Sequence, residues 1–577
     1  MDLVRLSAPL ALAALVGCAG APKHATPARS DVRFDELSGD VWSFERRVSG
    51  RAPRGCVTVE IKRGPLLLRV PVRDGRFSGV VPLSPGENVV GAFCADPAVP
   101  SSDARVVYRV RLPATPRALA RFVTTGGTIT IDGAASAPNE GTDLPLASYR
   151  WSDDPENPAP LRTADGRALG GVRARRVELE TPASDGEYVV WLTVTDAAGR
   201  RDRAGVSFIV VGGAARGLDR SREPPAWMEH AVFYGAASVP DEARLRTLAE
   251  LGVTALGVGP VGEEEDARLR ALAERAHQLG LRVLLEVAPS QPPRQHPYVL
   301  HASRYGSSSP YRGFFEVPAA RLDYDDPDVR RWTIETLAAR VRALDLDGLR
   351  IVDGASPLAE RAPRLVAELR EELSRVDPRV VLFADPGERS GGFDATPGGP
   401  RAWRDALSGG FDAGALHTAL STSGGGAVLR AIEPSGSRIA PRLLSALVFT
   451  APGIPSLFER DGPLALGSER FAQWRELARL RAREPALRSG RYVPLAAGGR
   501  RVYAFARIRD GARPIVVVLA WSGSPSVARI RLGPEVALRL DGLAAEPILG
   551  AGAPPRLTRG ALVVPLGPHD ARAFAFE

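Results

Sequence analysis

Leu251-Gly252-Val253-Thr254-Ala255-Leu256-Gly257-Val258-Gly259-Pro260 puts a strand-length apolar run directly after a helical pattern that stops at Gly252. Glu263 to Leu279 then carries helical periodicity up to Gly280, and Leu281 to Val287 is the next strand-length run. The same unit recurs on both sides. Upstream lie Ala231 to Tyr234 as a strand and Pro240 to Leu251 as a helix. Downstream come the helix Asp328 to Leu344, the strand Asp347 to Val352, the helix Arg361 to Val376 and the strand Val380 to Phe383. Further strands are expected near Phe411, at Val428 to Ile432 and at Ile454 to Phe458. Strands alternating with helices argue for a parallel sheet. Eight units in about 240 residues suit a (β/α)8 TIM barrel, with a doubly wound sheet as the competing arrangement.

The flanks read differently. Residues 40–112 hold short alternating runs such as Cys56 to Ile61, Leu66 to Val72 and Val89 to Cys94, separated by turn pairs such as Asp74-Gly75 and Pro85-Gly86. That pattern predicts a small β-sandwich. Residues 116–212 repeat the style, and 213–225 form a linker. The barrel is expected over 226–486, ending in the amphipathic helix Glu469 to Arg488, and 487–577 return to strands as a third sandwich. The expected fold is therefore a barrel preceded by two small β-sandwiches and followed by a C-terminal one.

The chain of 577 residues carries a net charge of +8, 44% hydrophobic residues and 25% charged ones. This excludes a wholly disordered chain, a collagen and a multi-pass membrane protein. Lys23 and Lys62 are the only lysines among 75 basic residues, and the arginines are dispersed, which argues against nucleic acid as a partner. Arg5 precedes an apolar run from Leu6 to Val16 that is short for a bilayer span, so residues 1–18 read as a signal peptide and 19–39 as a tether. Cys56 and Cys94 are an even pair in an exported chain and are expected to form a disulfide.

Three resemblances add to this reading. Leu15-Val16-Gly17-Cys18 resembles the lipobox of bacterial lipoproteins, which implies acylation of Cys18 and export to a membrane, with Ala19 pointing to the outer one. Gly186 to Gly199, with Ile131-Asp132-Gly133 and Tyr149-Arg150-Trp151, resembles a PKD domain, while 40–112 looks Ig-like. The central region resembles glycoside hydrolase family 13, the α-amylase family. The residues that carry this are Leu251 to Pro260, His277 to Ser290, Leu322-Asp323-Tyr324-Asp325-Asp326-Pro327-Asp328-Val329, Asp347-Gly348-Leu349-Arg350, Phe449-Thr450-Ala451-Pro452-Gly453-Ile454-Pro455-Ser456-Leu457-Phe458, and Trp474 to Gly490. The resemblance implies action on α-glucans by a retaining mechanism, which needs two carboxyl groups about 5–5.5 Å apart.

The catalytic positions depart from that family. The fourth-strand nucleophile position is Val352, with Asp353 beside it. Valine forms no glycosyl intermediate. Ala384-Asp385 stands where the fifth strand would carry its acid/base Glu, and Glu388 follows on the loop. The third-strand motif reads Glu286 to Gln291, and Glu433 to Arg438 replaces the seventh-strand motif with Ser435 and Gly436 at its His and Asp positions. Arg350 alone is unchanged, and Glu286, Asp353 and Asp385 are its candidate partners. The candidate catalytic set is thus Asp353, Asp385, Arg350, Glu286 and Glu388. Gln291, Tyr305, Tyr311 and Arg438 are candidate sugar contacts.

No cofactor fingerprint is present, and His296 and His301 have no evident third metal ligand. The expected function is that of an exported, lipid-anchored protein of α-amylase type that binds α-glucan or another carbohydrate without the ordinary glycosidase mechanism. An atypical hydrolase or transglycosylase using Asp353 or Glu286 with Asp385 or Glu388, and an envelope adhesion or structural protein, are the alternatives.

Overall fold

The structure is a computed structural model. It describes residues 31–35, 38–99, 104–111, 115–125, 127–139, 144–220, 223–259, 261–289, 315–316, 321–322, 324, 327–352, 358, 362–384, 392–397, 412–421, 427–431, 441–458, 468–499, 501–558 and 560–577. The chain divides into a small compact unit, formed by residues up to Leu37, Val48–Val81 and Val89–Val107, and a large one holding Ser38–Arg47, Pro82–Asn88 and Tyr108–Glu577.

In the small unit, Thr58–Arg63 pairs antiparallel with Leu66–Pro71 on one side and with the strand ending at Cys94 on the other. Val59, Ile61, Val70, Phe77, Val90 and Ala92 fill its interior. Cys56 and Cys94 are joined, with 5.9 Å between their Cα atoms and 38 residues between them in sequence. Closing such a loop stabilises by about 4 kcal/mol on the chain-entropy account.

The large unit is built around a curled parallel sheet of eight short strands: Phe233–Ala236, Ala255–Val258, Arg282–Val287, Gly348–Ile351, Val381–Phe383, Ala395–Pro397, Ala427–Ala431 and Ile454–Phe458. The strand order returns to its start, because Phe233 of the first strand pairs with Ser456 of the last. Helices Glu242–Leu251, Asp266–Gln278, Pro327–Leu344, Pro363–Val376, Ala413–Ser421, Pro441–Thr450 and Glu469–Arg483 lie between or after the strands.

Two elements differ from the sequence expectation. The sixth strand is Ala395–Pro397 rather than a segment near Phe411, and no helix is described between it and the fifth. Asp394 is the reason. Its buried carboxylate accepts the Leu382 N–H at 2.7 Å and pairs with Arg370 at 2.9 Å, which fixes the chain beside the fifth strand immediately. The helix expected to run to Arg488 ends at Arg483, and Pro485 starts a separate turn Pro485–Ser489. Proline lacks the N–H that would continue the ladder.

Residues 121–217 form a second sandwich of two antiparallel sheets around Trp151, Tyr188, Phe208, Ile129 and Leu192. It packs on the N-terminal ends of the parallel strands. Arg379, just before the fifth strand, binds Asp154 at 3.0 Å and Glu156 at 2.9 Å, and Arg282 at the start of the third strand binds Glu156 at 2.8 Å. Trp191 donates its indole N–H to Asp154 at 2.7 Å, with the Arg203 guanidinium 3.8 Å above its ring. A polar cavity of about 280 Å³ lies beside these groups. There His277 Nε2 is 2.7 Å from Asp347 Oδ2, and its Nδ1 is 3.5 Å from Asp345 Oδ2.

Asp345 first and Asp347 second hold the His277 imidazolium, raising its pKa from 6.5 to about 9. Its stabilising contribution is therefore complete below pH 6.5 and disappears as pH rises through about 9. It amounts to about 3 kcal/mol before solvent screening and about 2 after it. His277→Gln is expected to lower the urea midpoint at pH 6 and to leave it unchanged above pH 9.5. Equal losses at both pH values would mean that packing, not the charge, is what the substitution removes.

The C-terminal sandwich stands on the other flank. Its strands run in the order Ala545–Leu549, Ala571–Phe576, Ile515–Ala520, Val502–Ile508, Arg491–Gly498, Ser526–Arg531, Ala561–Leu566, Arg556–Thr558. Val502–Ile508 and Ile515–Ala520 are buried along their whole length. One face meets the sandwich core, and on the other side Arg507 donates to the Thr450 carbonyl at 2.7 Å, at the end of helix Pro441–Thr450.

Candidate functional site

The third and fourth parallel strands pair Leu284 with Gly348 and Glu286 with Arg350. Side chains alternate along a strand, so Leu284 and Glu286 share the inward face. Leu284 belongs to the apolar plug of Phe233, Ala255, Val381, Phe383, Ala395 and Ile454. Glu286 and Arg350 form the next layer, toward the C-terminal ends of the strands, the end at which sites are built in parallel barrels.

There the Arg350 guanidinium donates to Glu286 Oε1 in an ion pair whose side chains are 7% and 12% exposed. Arg350 also lies 5.1 Å from the ring centre of Phe458 and 5.8 Å from that of Phe233. Each such contact contributes about 0.5–2 kcal/mol when desolvated. Gly235 and Gly257 make room for these rings: a Cβ would sit 2.6 Å from Phe458 at the first and 2.5 Å from Phe233 at the second. Phe233, Phe458, Gly235 and Gly257 were missed as site residues in the sequence, although Phe458 ends a segment quoted there.

Of the sequence-predicted groups, the structure brings together Glu286 and Arg350. Among the described residues, Glu286 is a carboxylate partner of Arg350. Val352 follows the fourth strand half-buried, its N–H donating to the Val287 carbonyl at 2.8 Å. Ala384 is buried and donates to the Ala395 carbonyl at 2.9 Å. Asp353, Asp385, Glu388, Gln291, Tyr305, Tyr311, Arg438 and Cys18 lie outside the described residues.

Chemically, the Glu286–Arg350 pair is an anchor. Among the described residues of the eight strands, Glu286 is the only carboxylate. No group of three or more His, Cys, Asp or Glu side chains among the described residues is arranged to hold a metal ion. No described helix is long and apolar enough to cross a membrane.

No protein-family model and no curated protein sequence matches the chain. Solved structures do. A cyclomaltodextrinase superposes with a TM-score of 0.52 at 13% identity, over 93% of this chain and 98% of its own. The native debranching enzyme of Nostoc punctiforme gives a TM-score of 0.51 at 17% identity, over 61% of this chain and 99% of its own. The fold is α-amylase-like. The α-amylase of Geobacillus thermoleovorans, solved with acarbose, gives a TM-score of 0.50 at 13% identity over 61% of this chain and 99% of its own. At these identities the likeness describes the α-amylase-like fold, and the chemistry rests on the residues themselves.

Proposed function

We propose that this chain is an exported, lipid-anchored protein of the α-amylase family type that binds α-glucan without hydrolysing it by the retaining mechanism. Its curled sheet serves as the core of a (β/α)8 barrel, and its flanking sheet domains are of Ig-like, PKD-like and C-terminal sandwich type. The observation that carries the reading is the Glu286–Arg350 pair at the C-terminal end of the sheet. In the family the arginine supports a nucleophilic aspartate. Here the residue two positions after Arg350 is Val352, and Arg350 is paired with a glutamate from the third strand. That arrangement compensates a buried guanidinium and keeps the scaffold intact while supplying no nucleophile.

The test is prolonged incubation of concentrated protein with starch, glycogen, pullulan, maltooligosaccharides and trehalose, with products followed by mass spectrometry. Retardation on glycan-containing gels reports binding. The expected result is retardation by at least one α-glucan and no product from any. Products that an Asp385→Ala variant fails to make would overturn the proposal in favour of a rebuilt active site. Intact-mass spectra of the same preparation read the remaining part: an acylated Cys18 as the N-terminal residue is expected, and an unmodified one would remove the anchor.

A further inference from the structure

The C-terminal sandwich has one layer against the parallel-sheet core and one turned away from it. The far layer consists of Ser526–Arg531, Ala561–Leu566, Arg556–Thr558 and the end of Arg491–Gly498, whose residues 496–498 pair with Ser526–Arg531. Its inner face is apolar: Ala528, Ile530, Leu562, Val564 and Leu566 belong to the core. Its outer face is exposed and basic. Arg529 and Arg531 alternate with core residues on one strand, and both are exposed. Arg529 pairs with Val563, and Val563 pairs with Arg556, so the two arginines flank one valine on the same face.

Strand geometry then sets the spacings. Arg529 and Arg531 are about 6.8 Å apart along their strand, and Arg529 and Arg556 about 9.5 Å apart across two strand intervals. The four strands contain no Asp or Glu. Among the described residues, Arg529, Arg531 and Arg556 have no ion pair or side-chain hydrogen bond. This sets them apart from the many arginines of the large unit that are matched to carboxylates, such as Arg379, Arg375 and Arg513.

We propose that this outer sheet face binds an acidic polysaccharide, with Arg529, Arg531 and Arg556 each engaging a carboxylate of the polymer. The guanidinium fork matches a carboxylate bidentately. A flat sheet face suits an extended chain that carries carboxylates along its length. Ser526–Arg531, Ala561–Leu566 and Arg556–Thr558 carry no Trp, Tyr or Phe for stacking on a neutral sugar, and Tyr492 is stacked on His417. Its apolar residues, Val527, Val563 and Pro565, are short and give little to insert into a lipid layer. The proposal is independent of the reading of the parallel-sheet core, from which this face points away.

The experiment measures affinity of the full chain for polygalacturonate, with neutral dextran and phosphatidylglycerol vesicles as further probes. Two triple variants are compared. Arg529→Gln/Arg531→Gln/Arg556→Gln removes the proposed contacts. Arg121→Gln/Arg150→Gln/Arg201→Gln removes the same charge from exposed positions of the second sandwich and controls for the overall charge of +8. The expected result is salt-sensitive binding of polygalacturonate, weakened about tenfold or more by the first variant and less than about threefold by the second. Arg531→Gln alone is expected to give a smaller loss in the same direction. Equal losses in the two triple variants, undiminished binding by the first, or equal binding of dextran would overturn the proposal. So would binding of the vesicles through these arginines without binding of polygalacturonate.

Discussion

Glu286→Ala is expected to destabilise the large unit by about 3–5 kcal/mol, because it removes a carboxylate paired with the buried Arg350 guanidinium. Both side chains are almost fully enclosed, and the apolar plug with Phe233, Phe383 and Leu284 lies directly beneath them. Solvent therefore offers Arg350 little compensation. The double variant Glu286→Met/Arg350→Leu is expected to recover most of the loss, since a volume-matched apolar pair restores packing and removes both desolvated charges. Urea unfolding of the two single variants and the double variant gives the coupling directly. A single-variant loss below about 0.5 kcal/mol, the range of ordinary surface substitutions, would show that the pair is not a buried strut. The cycle bears on function as well. A pair kept for structure tolerates apolar replacement without change in glycan retardation, whereas a glycan-contacting pair does not.

Asp328→Ala is expected to have a comparable effect through a different contact. Asp328 sits in the first turn of helix Pro327–Leu344 and is fully buried. Its Oδ1 accepts the backbone N–H groups of Trp42 and of Ser43, the latter at 2.8 Å, while its Oδ2 lies 3.3 Å from Arg46, which is 2% exposed. One carboxylate thus ties Ser38–Arg47 to the helix within the same compact unit. Removing it takes an acceptor from two backbone amides and a carboxylate from a buried guanidinium, a loss of about 3–5 kcal/mol. Hydrogen exchange reads it locally: the Trp42 and Ser43 amides are expected to lose protection by orders of magnitude. Asp328→Asn keeps an acceptor for the amides but not the charge, and is expected to fall between the parent and the alanine variant. Unchanged protection at both amides in the alanine variant would show that the segment is held by other means.

Asp328 also illustrates how far the chain could be read before folding was considered. It belongs to Leu322 to Val329, a segment whose resemblance was to a family motif, and its sequence neighbours gave no hint of a partner some 285 residues away. The same holds for Asp394. Nothing local marks it as the residue that brings the sixth strand forward from Phe411 to Ala395–Pro397, because the deciding contacts come from Leu382 and Arg370 on other elements. Arg350 was legible as a buried cation in need of a partner. Three carboxylates were equally available in the sequence, and the register of the third strand against the fourth is what sets Glu286 beside it.

What the amino-acid sequence determined by itself was whatever depends on short-range pattern. The strand–helix alternation, the apolar periods and the even cysteine pair were enough to place the parallel sheet, flanking sheet domains and the Cys56–Cys94 bond, because secondary structure and burial follow the local spacing of apolar side chains. It also determined that a valine, Val352, stands two residues after Arg350. The tertiary structure decided which charges meet. Ion pairs such as Glu286–Arg350, Asp328–Arg46 and His277–Asp347 join residues dozens to hundreds of positions apart. Coulombic attraction is set by separation in space, and with 73 arginines and two lysines against 67 acids, very many pairings are compatible with the same sequence. Strand register and helix docking choose among them, and they leave Arg529, Arg531 and Arg556 facing outward from a sheet with no acid of its own.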